Sequence, residues 1–220
     1  FKYQFNSANE VVKWYPDANG YPVVSAEATE KYYSANTLYK NITIDENGNQ
    51  VIEFKNNRDQ VLLKKVQEVE TPHATGPTGW LCTYYVYDDF DNLKVVIPPQ
   101  AVHEMGTDYA MALNTDFAGK WFFMYTYDHR QRMISKKVPG AEEVIMIYDI
   151  WDRLVLTRDG NQKGKTIPEY TFTKYDQLNR PIVSGLLATG NSLAQIQTDI
   201  DNANRYENKS GSGRRNSLII

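Results

Sequence analysis

The side chains that could do chemistry in this chain are few and scattered. His73, His103 and His129 are the only histidines, and none has a second ligand at metal-binding spacing. Cys82 is the only cysteine. No histidine pattern around it suits nucleophilic work, and a single thiol cannot form an internal disulfide. The densest set of oxygen ligands is Asp88-Asp89-Phe90-Asp91-Asn92. Such a loop can hold Ca²⁺, but this one lacks the spacing and distal glutamate of an EF-hand, and its aspartates also read as turn formers. Glu142-Glu143 could serve as an acid and base in the manner of glycosidases, yet carboxylates occur at nearly every turn and the pair does not stand out. Asn41-Ile42-Thr43 and Asn208-Lys209-Ser210 match glycosylation acceptors, a pattern short enough to arise by chance. No catalytic centre, metal site or cofactor is indicated.

The carboxylates make more sense as parts of a repeat. Tyr127-Asp128 through Arg132-Met133 is answered by Tyr148-Asp149 through Arg153-Leu154, and the same phrase, aromatic-Asp-x-x-x-Arg/Asn-apolar, recurs at Tyr87-Asp88 and Tyr175-Asp176. Worn copies begin at Pro16-Asp17, Ile44-Asp45 and Lys55-Asn56. Each reads as the tip of a β-hairpin. Asp17, Asp45, Asn56, Asp88, Asp128, Asp149 and Asp176 occupy the position where a short polar side chain bonds the backbone two residues on and starts a turn. Three residues later come Gly20, Gly48, Asp59, Asp91, Gln131, Asp152 and Asn179, at the position that most often needs positive φ. Six of these seven are Gly, Asn or Asp, the residues that tolerate it best; Gln131 is the exception. The flanks alternate or are β-branched, as in Phe123-Tyr125-Tyr127, Val144 to Tyr148, Leu154 to Thr157, Ile134 to Val138, Thr171 to Tyr175 and Val61 to Val66. Asp149→Ala is expected to destabilise its hairpin by about 1 kcal/mol through loss of the turn bond.

The phrase resembles the YD repeat of the Rhs proteins, teneurins and insecticidal Tc toxins, whose pattern is roughly Tyr-x-Tyr-Asp-x-x-Gly-Arg-Leu. The wording around Thr83 to Val102, Tyr148 to Gln162 and Phe172 to Gly185 is similar to large YD-repeat proteins of Bacteroidetes. The likeness is good over residues 80 to 190 and loose over 10 to 79. In the four good copies, with repeat aromatics Tyr87, Tyr127, Tyr148 and Tyr175, the family's glycine is replaced. The resemblance implies an all-β fold of consecutive antiparallel hairpins forming part of a spiralling, shell-like sheet, with one or two short helices. It implies a catalytically silent section of wall, in a secreted or cell-surface protein whose shell can enclose a C-terminal toxin. Its partners would be the remainder of the same polypeptide and a secretion machinery. Many relatives cleave themselves at a core motif containing Asp-Pro; this chain has no Asp-Pro.

Composition narrows the alternatives. The net charge is −3 and no basic cluster exceeds Lys136-Lys137 or Arg214-Arg215, which argues against nucleic acid. No apolar run has membrane length and no leader stands at Phe1; the chain reads as a piece of a longer one. A surface-adhesion module is the alternative, with Trp14, Trp80, Trp121 and Trp151 holding a glycan or a protein, although core packing explains tryptophans as well. A hydrolase would need convergent polar residues outside the repeat register, and none is found. The expected organisation is worn hairpins over 1–79 ending in the Pro/Gly-rich loop Thr71 to Gly79, and well-formed hairpins over 80–190. Pro98-Pro99 and Gly106 delimit a short helical insert near 99–113. An amphipathic helix capped by Asn191 or Ser192 covers 191–207, and a flexible tail covers 208–220.

Overall fold

The computed structural model describes residues 1–25, 27, 30–203 and 206; the expected tail at 208–220 and Asn208 lie outside them. The elements, in chain order, are strands β1 (Lys2–Phe5), β2 (Trp14–Pro16), β3 (Pro22–Val24), β4 (Tyr39–Ile44), β5 (Gln50–Lys55), β6 (Val61–Gln67), β7 (Trp80–Tyr87) and β8 (Leu93–Ile97), helix α1 (Pro99–Met105), a 3-10 turn at Tyr109–Leu113, and helix α2 (Thr115–Trp121). They continue with β9 (Phe123–Tyr127), β10 (Met133–Lys137), β11 (Val144–Tyr148), β12 (Leu154–Arg158), helix α3 (Gly160–Lys163), β13 (Glu169–Tyr175), β14 (Pro181–Ala188) and helix α4 (Leu193–Asp201). The described residues are therefore mainly antiparallel β, with four short α-helices. The chain forms two compact units, residues 1–126 with 137–140, and residues 127–136 with 141–220.

In the first unit β1, β4, β5, β6, β7, β8 and β9 are neighbours in that order, and β2 and β3 form a separate ribbon. Strand formation follows the alternation. Trp80, Cys82, Tyr84 and Val86 of β7 point inward between half-exposed neighbours, as do Ile52 and Phe54 of β5 and Val95 and Ile97 of β8. These side chains form one apolar cluster with Val11, Trp14, Leu38, Leu63, Phe122 and the small residues Ala101, Ala112 and Ala118 of the helical insert. β1 was not foreseen; it pairs with β4 from Lys2 opposite Ile42 to Phe5 opposite Tyr39.

The helical insert extends past the expected 113. Proline opens α1 and Gly106, at φ 54°, closes it. The segment then turns through the 3-10 stretch into α2, which Asn114 caps by accepting from the backbone N–H groups of Asp116 and Phe117. The loop 71–79 lies against its own sheet. His73 N–H bonds Thr78 O, the Trp80 indole donates to His73 O, and the Lys65 ammonium donates to Thr75 O and Gly76 O.

The second unit runs β10, β11, β12, β13, β14 as consecutive neighbours. Its core is smaller: Ile147, Leu156, Tyr170, Phe172, Ile196 and Ile200. The polar turn at Gly160 is a one-turn helix with a full capping box between Asp159 and Gln162. The final helix starts after Ser192, as one of the two expected caps, but is shorter than 191–207; Ile196 and Ile200 are its buried face. Among the described residues no helix is long and apolar enough to cross a membrane.

Candidate functional site

The residues singled out by the repeat all lie in hairpin tips of one construction. Asp149 shows it. Its backbone N–H bonds Arg153 O and its C=O accepts from Asp152 N–H, while its Oδ1 accepts from the N–H groups of Trp151 at 3.0 Å and Arg153 at 2.9 Å. Asp152 sits at φ 63°. The same four bonds recur at Asp17, Asp45, Asn56, Asp88, Asp128 and Asp176. Positive φ recurs at Gly20, Gly48, Asp59, Asp91, Gln131 and Asn179. This is a three-residue hairpin loop whose last member is left-handed and whose strands meet in a bulge. Register shifts beside Lys55, Tyr87, Tyr148 and Tyr175 mark it.

The residue four after the aspartate does more than the sequence reading assigned to it. In the good copies of the second unit it is arginine, and the guanidinium Nε bonds the second carboxylate oxygen: Arg132 to Asp128 at 2.8 Å, Arg153 to Asp149 at 2.7 Å and Arg180 to Asp176 at 2.7 Å. The same guanidinium reaches the next hairpin. Arg132 stacks on the Tyr148 ring at 4.8 Å and Arg153 on the Tyr175 ring at 4.8 Å. The tyrosine hydroxyls donate backwards, Tyr148 to Met133 O and Tyr175 to Leu154 O. Asp, Arg and the next Tyr thus form a ladder that ties the tips at Asp128 and Asp149 each to its successor. The signal was present in the Arg/Asn position of the repeat phrase, but spacing alone cannot show that it faces the neighbouring hairpin.

The replaced glycine finds a reason in the same contacts. Arg58, two residues after Asn56, pairs with Asp91 of the next tip; Arg130, two after Asp128, pairs with Asp152 of the next at 2.6 Å; and Arg153 donates to Asn179 at 3.3 Å. Glycine would suit the backbone better, but it offers no acceptor. Burial raises the Asp128 carboxyl, but the bonds from Arg132 and Arg130 outweigh it and hold it below its ordinary value. Bonds from Arg180 and Leu178 do the same for Asp176, and those from Asn49 and Asn47 for Asp45.

The candidates for chemistry are not gathered. His73 sits in the 71–79 loop, where Nδ1 accepts from the N–H groups of Thr75 and Gly76; His103 is on α1 and His129 is exposed at a tip. Cys82 is 1% exposed, and burial pushes its thiol up to about 11 although the Lys65 charge pulls the other way; that is the reverse of an activated nucleophile. Glu142 pairs with Lys163, and Glu143 accepts from the Ser135 hydroxyl. In the Asp88 to Asn92 loop, the Asp88 carboxylate is occupied by N–H groups of Phe90 and Asn92, and Asp91 by Arg58. Among the described residues no group of three His, Cys, Asp or Glu is placed to hold a metal ion. Trp14 and Trp80 are buried, while Trp121 and Trp151 are half-buried.

No protein-family model and no curated protein matches the chain. Solved structures do. A structure of the Photorhabdus luminescens Tc holotoxin pore, carrying a substitution in TccC3, is 17% identical with TM-score 0.47 over 68% of this chain and 6% of the other. The crystal structures of TcdB2-TccC3-TEV and TcdB2-TccC3-Cdc42 are 15% and 14% identical, both with TM-score 0.49, over 70% and 76% of this chain and 8% of each of theirs. The chain spans less than a tenth of the length of the solved chains it matches.

Proposed function

We propose that this chain is a non-catalytic section of wall in a large YD-repeat protein of Rhs type, secreted or displayed at a cell surface, whose shell encloses a C-terminal effector. The observation that carries the reading is the ladder from Arg132 to Tyr148 and from Arg153 to Tyr175. A single hairpin is marginal in water, so a device repeated at successive tips of the second unit and aimed at the next one suits a sheet that grows hairpin by hairpin. The edge strand β14 supports it. It stands last in the sheet order, so one side of its backbone has no strand partner among the described residues, and such an edge is a template for a further strand. That strand would come from the remainder of the same polypeptide.

The test is the mass of the native protein in its source, with both ends mapped by peptides. The expected result is a mass several times that of these 220 residues, with a separable C-terminal fragment retained in the particle. A native protein the size of this chain alone would overturn the wall reading.

A further inference from the structure

Three arginines of the second unit hold their tip aspartates alike, and two of them are covered. The side chains of Arg132 and Arg153 are 19% and 11% exposed, whereas that of Arg180 is 70% exposed. Arg180 is nevertheless set in the same way, with Nε on the second carboxylate oxygen of Asp176 at 2.7 Å. Among the described residues no aromatic ring lies over its guanidinium and no acceptor meets its Nη1.

The covered pair shows what fits such a guanidinium. A tyrosine ring lies over it at 4.8 Å in both cases, Tyr148 on Arg132 and Tyr175 on Arg153. The hydroxyl of that ring donates to the C=O of the residue after the arginine, Met133 at 2.9 Å and Leu154 at 2.8 Å. Nη1 then donates to the left-handed residue of the same incoming tip, Asp152 at 2.8 Å and Asn179 at 3.3 Å. Pro181 follows Arg180 as Met133 and Leu154 follow their arginines, and its residue is exposed. β14, which begins at Pro181, stands last in the sheet order.

We propose that Arg180 and the β14 edge form a docking surface selective for one class of hairpin tip: tyrosine, then aspartate, then Asp or Asn at the left-handed position. The ring stacks on the guanidinium, its hydroxyl donates to Pro181 O, and the left-handed side chain accepts from Nη1. The strand leading to that tip adds main-chain bonds along β14, which by themselves select nothing. The chain carries tips of a second class that fail all three side-chain tests. At Asp45 the preceding residue is Ile44, with no ring or hydroxyl, and the left-handed residue is Gly48, with no acceptor. The selectivity therefore resides in side chains and not in the shared turn. The inference rests on the wall reading only for the source of the tip, which is the remainder of the same polypeptide.

The test is amide NMR of the full chain titrated with two hairpin peptides copied from it. One is Ile145–Arg158, whose end residues pair in the sheet, and the other is Tyr39–Lys55, paired likewise. Each is closed by a disulfide between cysteines added at its ends, because an open hairpin is marginal. The first peptide is expected to bind saturably and to shift the amides of β14; the second is expected not to bind. Arg180→Ala in the chain should weaken binding about tenfold, as should Tyr148→Ala in the peptide, the size of one guanidinium–ring contact. Asp152→Gly in the peptide should weaken it by a smaller factor. Absence of saturable binding overturns the proposal, as does equal binding of both peptides or binding that ignores Arg180→Ala and Tyr148→Ala. Self-association of the chain through β14 without peptide would give the edge to a second copy and overturn it equally. A large native particle together with any of these failures would keep the wall and remove the docking surface.

Discussion

The two compact units use the same turn and hold it in place differently. In the first unit the second side-chain oxygen or amide of the tip residue is met by a neutral partner, Asn49 for Asp45, Gln60 for Asn56 and Asn92 for Asp88. Stability there comes from the large apolar cluster around Phe54, Leu63, Val95 and Ile97. In the second unit the partner is arginine, the cluster is small, and neighbouring tips are joined by guanidinium stacking and tyrosine hydroxyls. A repeat thus fixes the turn and leaves free the choice between burying hydrocarbon and linking polar side chains laterally.

The contrast breaks first in the cores. Leu63→Ala removes a fully buried side chain from the large cluster and is expected to cost about 4 kcal/mol; Leu156→Ala, in the small one, should cost about 2–3 kcal/mol because its surroundings can close in. Hydrogen exchange read strand by strand separates the two, and equal losses would remove the distinction.

The ladder comes next. Arg153→Ala leaves the Asp149 carboxylate, 3% exposed, without its guanidinium and is expected to cost about 3 kcal/mol. Arg153→Lys keeps the charge but not the fork or the stacking on Tyr175, and should cost roughly half of that. By the same contacts Asp149→Ala should cost about 2 kcal/mol rather than the 1 kcal/mol expected from its turn bonds alone. Protection of the β11 and β12 amides in exchange reads all three; wild-type protection in Arg153→Lys would mean that charge alone carries the ladder.

Acid sharpens the comparison further. The Asp128 and Asp176 carboxyls are lowered in the second unit and Asp45 in the first. Each folded carboxyl binds its proton less readily than the unfolded one, whose pKa is about 3.9. Their stabilisation is complete above that value and is lost as the pH falls through the lower folded values. Amide exchange followed from pH 5 down to about 2.5 should show the β9–β10 and β13–β14 hairpins, tipped by Asp128 and Asp176, opening before β5–β6, whose tip residue is Asn56; a pH-independent profile would contradict this.

The smallest effect concerns the left-handed position. Gln131 has φ 60° without an acceptor role like that of Asp91 or Asp152, so Gln131→Gly is expected to stabilise by about 0.5–1 kcal/mol. A loss in melting temperature would show that the Gln131 side chain has a role of its own.

The tips were legible because a three-residue loop is local chemistry. Its aspartate, its left-handed residue and its bulge lie within five positions of one another, and six of the seven left-handed positions carry Gly, Asn or Asp. The insert beyond Leu113 was less legible. α2 is seven residues long with little periodicity, and it forms because Asn114 caps it and Ala118 and Phe122 bury against the sheet. β1 was hidden too: Lys2-Tyr3-Gln4-Phe5 alternates polar and aromatic, but the run is only four residues long and all four are exposed.

By itself, then, the sequence determined the turn, the strand period and the hairpin order, because each depends on residues a few positions apart. Only the tertiary structure decided what the arginines touch, that Lys65 is buried, and that Trp14 packs on Tyr84. Arg132 meets Tyr148 and Trp14 meets Tyr84 across sequence separations that no local pattern encodes; strand register and side-chain burial set those meetings.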